Sequence, residues 1–169
     1  VGVSNPNDMT TASFSKKFFL GQAHFTSTNA KVNAYVNYVG GKDASEAVTN
    51  QFDAVVTGTI SSKFSVGYNG TVKFSKPEGK SSSDSWWGSA LYLNYDPSSA
   101  IGLTLRGEYV GDKEEFYYGT KGIFQTTLSL NYKVGPFIVI PELRLDSAND
   151  PLFFDSKGGA VKSTFSGLL

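Results

Sequence analysis

"FSVGYNGTVKF" (64–74) admits two incompatible folds. Asn69-Gly70 between alternating apolar residues is the strongest short hairpin signal known. The same residues also form one strand of about eleven residues, long enough to cross a bilayer at a tilt. In the hairpin, Tyr68 would oppose Thr71, Val66 would oppose Lys73 and Ser65 would oppose Phe74. Directly opposed residues share a face, so every pair would mix apolar with polar and neither face could be buried. As one strand, Phe64, Val66, Tyr68, Gly70, Val72 and Phe74 share a face, while Ser65, Gly67, Asn69, Thr71, Lys73 and Ser75 share the other. The two-residue period then holds throughout. The reading is a single strand, weakened only by interior glycine.

The same alternation recurs along the chain. In "KVNAYVNYVG" (31–40), Val32, Ala34, Val36 and Tyr38 alternate with Lys31, Asn33, Tyr35 and Asn37. "QFDAVVTGTI" (51–60) sets Phe52, Ala54, Val56 and Ile60 against Gln51, Asp53, Thr57 and Thr59. "IGLTLRGEYV" (101–110) and "FIVIPELRLD" (137–146) repeat the pattern, the latter with Ile138 and Ile140 out of phase. Further strands are expected near 15–27, 84–95, 122–133 and 161–169, nine in all. No helix-length window carries a 3.6-residue apolar stripe. The chain reads as all-β.

Composition narrows the function. Fifteen Lys and Arg balance fifteen Asp and Glu, so no basic field points to nucleic acid. Cysteine is absent, which excludes disulfides and thiolate metal sites. The longest clear apolar run is "FIVI" (137–140), far below the length of a membrane-spanning helix.

The connections alternate in length. "STNA" (27–30), "SSK" (61–63), "DPSSA" (96–100) and "KVGP" (133–136) are short; 40–50, 76–85, 111–121 and 147–159 are long. One end of the sheet should therefore carry tight turns and the other extended loops, as outer-membrane barrels do. A β-sandwich also alternates apolar with polar residues, but its usual strands have five or six residues, whereas these approach ten. Aromatic residues stand near strand ends, where a membrane-interface girdle is expected: Phe64, Phe74, Trp87, Tyr95, Tyr109 and Tyr132. The expected fold is an antiparallel up-and-down transmembrane β-barrel. The alternative is a soluble or surface sandwich that binds carbohydrate through Trp86, Trp87, Phe116, Tyr117 and Tyr118.

Around "WWGSALYLNYDPSSAIGLTLRGEYVGDKE" (86–114) the sequence resembles the β-barrel porin family of outer-membrane proteins of Bacteroidota and related bacteria. "ALYLNY" (90–95), "LRGEYVGD" (105–112) and "PELRLDSANDPLFF" (141–154) carry the likeness. "VSNPNDMTTASFSKKFFLGQ" (3–22) looks like that family's loop and strand entering its C-terminal half. The resemblance implies a channel-like barrel in the cell outer membrane, with lipid and small solutes as its partners and no cofactor. Such proteins end on a strand closing with an aromatic residue, whereas this chain stops at Leu168-Leu169. Nine strands also depart from the even number of single-chain bacterial barrels. The expectation is one barrel domain over 1–169, the C-terminal portion of a larger even-stranded barrel.

Candidate pore residues follow from the alternation. Arg106 and Glu108 on one strand, and Glu142, Arg144 and Asp146 on another, share the polar face with Asp53, Asn69 and Lys73. They form either a selectivity-setting lining or a salt-bridge ladder that pairs across strands and fills the bore. In both cases they point away from lipid, where a mid-membrane Arg costs about 2–4 kcal/mol. His24 is the single histidine and has no spaced partner for base catalysis; a place in the lumen or at the interface is expected. The loop "DSANDPLFFD" (146–155) lacks a calcium-loop pattern and reads as turn chemistry.

Overall fold

A computed structural model describes residues 1–6, 9, 11 and 16–169. Among them the chain forms thirteen strands and no helix. In order these are β1 (Gly2–Ser4), β2 (Phe18–Thr26), β3 (Val32–Lys42), β4 (Val48–Thr59), β5 (Phe64–Lys76), β6 (Asp84–Tyr95) and β7 (Ile101–Gly111). Then follow β8 (Gly122–Val134), β9 (Phe137–Val139), β10 (Glu142–Ala148), β11 (Phe153–Phe154), β12 (Ala160–Val161) and β13 (Ser163–Leu168). Eleven of them make one sheet with sequential neighbours, β1-β2-β3-β4-β5-β6-β7-β8-β10-β13, and β9 extends the partner of β8. Every pairing is antiparallel. This is an up-and-down meander. Its outer strands β1 and β13 do not pair with each other, so the sheet is not closed among the described residues.

The stretch 64–74 lies within one uninterrupted strand, β5. Gly70 pairs with Ala54 on one side and Ser89 on the other. Register carries each face across the sheet intact. Val36, Ala54, Gly70, Ser89, Tyr109 and Phe124 form one transverse row; Asn37, Asp53, Thr71, Gly88, Val110 and Ile123 form the next, on the opposite face.

Exposure of the two faces is inverted relative to a water-soluble protein. On the apolar face Phe52 is 47% exposed, Leu91 52%, Phe124 48% and Leu143 52%. On the polar face Thr127 is 9% exposed and Asp146 8%. Polar side chains hydrogen-bonded to one another across strands shield that side, while the apolar ones stand open. Apolar side chains normally leave water, at about 1.5–3 kcal/mol for each large one. Here no second large sheet covers them among the described residues, which a sandwich would require.

The structure differs from the sequence expectations, or adds to them, in several details. The predicted start of the first strand at Ser15 lies outside the described residues, and β2 begins at Phe18. The short β1, opposite Phe18–Leu20, carried too little pattern to be foreseen. The segment 137–146 is divided into β9 and β10 at Ile140-Pro141, where proline has no N–H to donate. Register nevertheless continues, since Val139 faces Tyr132 and Glu142 faces Ser129. The loop expected at 40–50 shrinks to 43–47, because Asp43 Oδ1 accepts from Ser45 N (2.9 Å), Ser45 Oγ (2.7 Å) and Ala47 N (3.1 Å) and folds a tight turn. Length asymmetry between the two ends therefore rests on 77–83, 112–121 and 149–162. Finally, the last of these contains its own hairpin, β11–β12.

Candidate functional site

The polar face is the chemically differentiated surface. Sequence reasoning assigned eight residues to it, and register puts all eight on that side: Asp53 on β4, Asn69 and Lys73 on β5, Arg106 and Glu108 on β7, and Glu142, Arg144 and Asp146 on β10. The six selected aromatics lie on the other side. Phe64, Tyr95 and Tyr132 stand near the short-turn end, and Phe74, Trp87 and Tyr109 near the long-loop end. Within these groups Phe64 stacks on Tyr95 (4.5 Å between centroids) and Trp87 leans on Tyr109 (5.4 Å). Trp87 and Tyr109 also cover glycines. A Cβ on Gly111 would sit 2.6 Å from Trp87 Nε1, and one on Gly122 would collide with the Tyr109 hydroxyl.

Over β2–β5 the polar face is an amide ladder. Gln22 Nε2 donates to Asn37 Oδ1 (2.7 Å), Asn37 Nδ2 to Asp53 Oδ1 (2.8 Å), and Asn69 Nδ2 to Asp53 Oδ2 (2.7 Å). Asp53 thus accepts from two neutral amides, and no cation pairs with it among the described residues. Such partners satisfy the lone pairs of a carboxylate while leaving its charge uncompensated.

Over β7–β10 both arginines are paired, but not across strands. Arg106 pairs with Glu108, and Arg144 Nε donates to Asp146 Oδ1 (2.8 Å) and Oδ2 (3.0 Å), each two residues along the same strand. The expected cross-strand ladder is therefore absent among the described residues. Residues i and i+2 project side by side, whereas second-neighbour strands are about 9–10 Å apart. Arg106, Thr127 and Arg144 occupy one transverse row. Arg106 also lies over the Tyr92 ring (5.6 Å), and its Nε is buried without a partner. Glu142 takes a 2.6 Å bond from Ser129.

His24 is on the polar face near the short-turn end, stacked parallel on Tyr35 at 4.2 Å and 3.0 Å from Thr26 Oγ1. The three aspartates of 146–155 have separate partners: Asp146 binds Arg144, Asp150 accepts from Thr120, and Asp155 Oδ1 accepts from Lys157 N and Gly159 N. Nothing draws them to a common centre.

Sequence reasoning missed how loop 112–121 folds. Asp112 is fully buried and accepts from the backbone N–H groups of Phe116 (3.2 Å), Tyr117 (2.6 Å) and Tyr118 (2.8 Å). Thr120, also fully buried, donates to Asp150 (3.1 Å) and ties this loop to the next. Burial raises the Tyr118 phenol above its ordinary value, with Asp112 adding to the effect. Tyr117 and Tyr118 both contact Trp86, which register places on the polar face, not with Trp87. A lone "D…YY" in a loop gives no warning of this, because nothing in its spacing says which wall the loop meets.

An eleven-stranded meander with its apolar side exposed and its polar side hydrogen-bonded defines the wall of a β-barrel membrane protein. The family model described as "Putative beta-barrel porin-2, OmpL-like" matches residues 1–168. The chain belongs to that porin family, as its resemblance implied. Neither a curated protein nor a solved structure matches it.

Proposed function

We propose that the chain forms the wall of an outer-membrane channel in a Gram-negative bacterium, its polar face lining a water-filled passage for small solutes. All of 1–169 belongs to one barrel domain in this reading. The inverted exposure of the two faces carries it, because only lipid relieves the apolar side chains left outside. From Phe64 to Phe74, ten residues apart, is about 34 Å along a strand, or about 25 Å at a tilt near 40°, the height of an outer-membrane apolar band. A backbone edge cannot remain unpaired in hydrocarbon. In the membrane the edges of β1 and β13 are therefore paired, with each other or with further strands.

Reconstitution into planar bilayers tests this directly. The expected result is stepwise conductance, together with a requirement for detergent throughout purification. A folded, inserted protein that gives no conductance would favour a second reading, a closed barrel. The half-buried Arg106–Glu108 and Arg144–Asp146 pairs would then fill the bore. Protein that stays dispersed without detergent would overturn both.

A further inference from the structure

At the long-loop end of the polar face, four aromatic rings meet in series. Phe116 lies edge-on to Tyr117 (4.8 Å, 77°), Tyr117 packs against Trp86 (6.1 Å, 66°), and Trp86 meets Tyr118 perpendicularly (5.6 Å, 89°). Lys73, directly opposite Trp86 on β5, holds its ammonium 5.2 Å from the Tyr117 ring centroid. No carboxylate pairs with Lys73 among the described residues. Asp84 faces the same side two positions before Trp86.

The arrangement is fixed. Three backbone N–H groups bound by the buried Asp112, and the Thr120–Asp150 latch, hold Tyr117 and Tyr118 over the wall. Yet the rings are not sealed: Phe116 is 55% exposed and Tyr118 36%. Trp86 and Tyr117 are half-buried and Tyr118 stands at the open end of the series, so the cluster is anchored on one side and accessible on the other.

We infer that Trp86, Tyr117 and Tyr118, with Lys73 and Asp84 beside them, form a saccharide-recognition platform at the mouth of the passage. The chemistry fits a neutral pyranose. Its face of C–H groups is weakly positive and apolar, and it is attracted to the negative face of an aromatic ring. Its hydroxyls need both a donor and an acceptor, which the Lys73 ammonium and the Asp84 carboxylate supply from diagonal positions on the same face of β5 and β6. Few but well-placed polar groups around an apolar surface are what a small-molecule site requires. The inference deepens the channel reading by naming a solute class, and it rests on that reading for the solute's route.

The test uses detergent-solubilised protein, so it does not depend on conductance. The chain has two tryptophans, and Trp87 lies on the opposite face, so Trp87→Phe leaves Trp86 as the sole reporter. Titration with maltose and with cellobiose should give a saturable change in Trp86 emission for at least one of them. Glycerol at equal hydroxyl concentration should give none. Tyr117→Ala with Tyr118→Ala should weaken binding at least tenfold, and Lys73→Met several-fold. Circular dichroism establishes that each variant is folded. No saturable response to either sugar, equal binding by the variants, or a response to benzoate alone would overturn the inference. Channels that conduct without binding sugar would refute this site and leave the channel reading standing. Binding without conductance would do the reverse.

Discussion

Arg144 donates from Nε to both carboxylate oxygens of Asp146, two residues along its own strand, instead of reaching across Thr127 to β7. The pair is self-contained, so its loss should be local. Arg144→Met leaves a largely buried carboxylate without its donor and should lower stability by about 1.5–3 kcal/mol. The lower end is expected, because Arg144 is more than one-third exposed. Adding Asp146→Asn should restore much of the loss. A double-mutant cycle from urea unfolding in detergent measures the coupling; additive effects would contradict the pairing.

Asp53 should set ion preference. Its charge, like that of Glu142, meets only neutral donors, whereas the charges of Arg106, Glu108, Arg144 and Asp146 cancel within their pairs. Asp53→Asn should shift the reversal potential in a salt gradient toward anions, while neutralising both members of the Arg144–Asp146 pair should barely move it. The opposite ranking would show that the passage is controlled from the β7–β10 side.

Facing can be read by chemistry. Cysteines at Leu91, Leu105 and Leu143 should react poorly with water-soluble thiol reagents and lie beside lipid-borne quenchers. Cysteines at Asn69, Thr104 and Thr127 should behave oppositely once the passage is hydrated. Equal shielding of both sets from lipid would argue that something other than a bilayer covers the apolar face.

Sidedness follows from the loops. On intact cells, protease should reach 77–83, 112–121 or 149–162 and spare 27–31, 60–63 and 96–100. Turn 43–47 belongs to the exposed side but should resist cutting, because Asp43 holds it closed. Cleavage restricted to 60–63 would invert the orientation.

Acid should loosen that same turn. The Lys16 side chain, by hydrogen bonding, holds the Glu46 carboxyl below its ordinary 4.5 against the opposing effect of desolvation, with Lys42 assisting to a lesser degree. A lowered value means the contribution is present above 4.5 and disappears as pH falls through the folded-state value. Proteolysis beside Lys16 should therefore rise under acid conditions in the native chain and rise less steeply in Glu46→Gln.

The strands and their faces were legible because a two-residue period leaves one choice of side for every residue. That is why Asp53, Lys73, Arg106 and Arg144 fell on one side and Trp87 and Tyr109 on the other. Partner choice was not legible. Alternation gives Arg144 a side but not a rotamer, and the i+2 carboxylate is nearer than the one two strands away. Nor could alternation describe loop 112–121, whose conformation depends on where a single buried aspartate finds its donors.

Alternation has a further blind spot. If one strand slides past its neighbour by two residues, each side chain keeps its side and the polarity pattern is undisturbed. Hydrophobicity alone cannot reject that error while the sheet assembles. A ring that must settle over a hydrogen atom can. Trp87 fits over Gly111 and Tyr109 over Gly122; displaced by two, Trp87 would face Tyr109 instead of Gly111. These glycines act as notches that index one strand against the next.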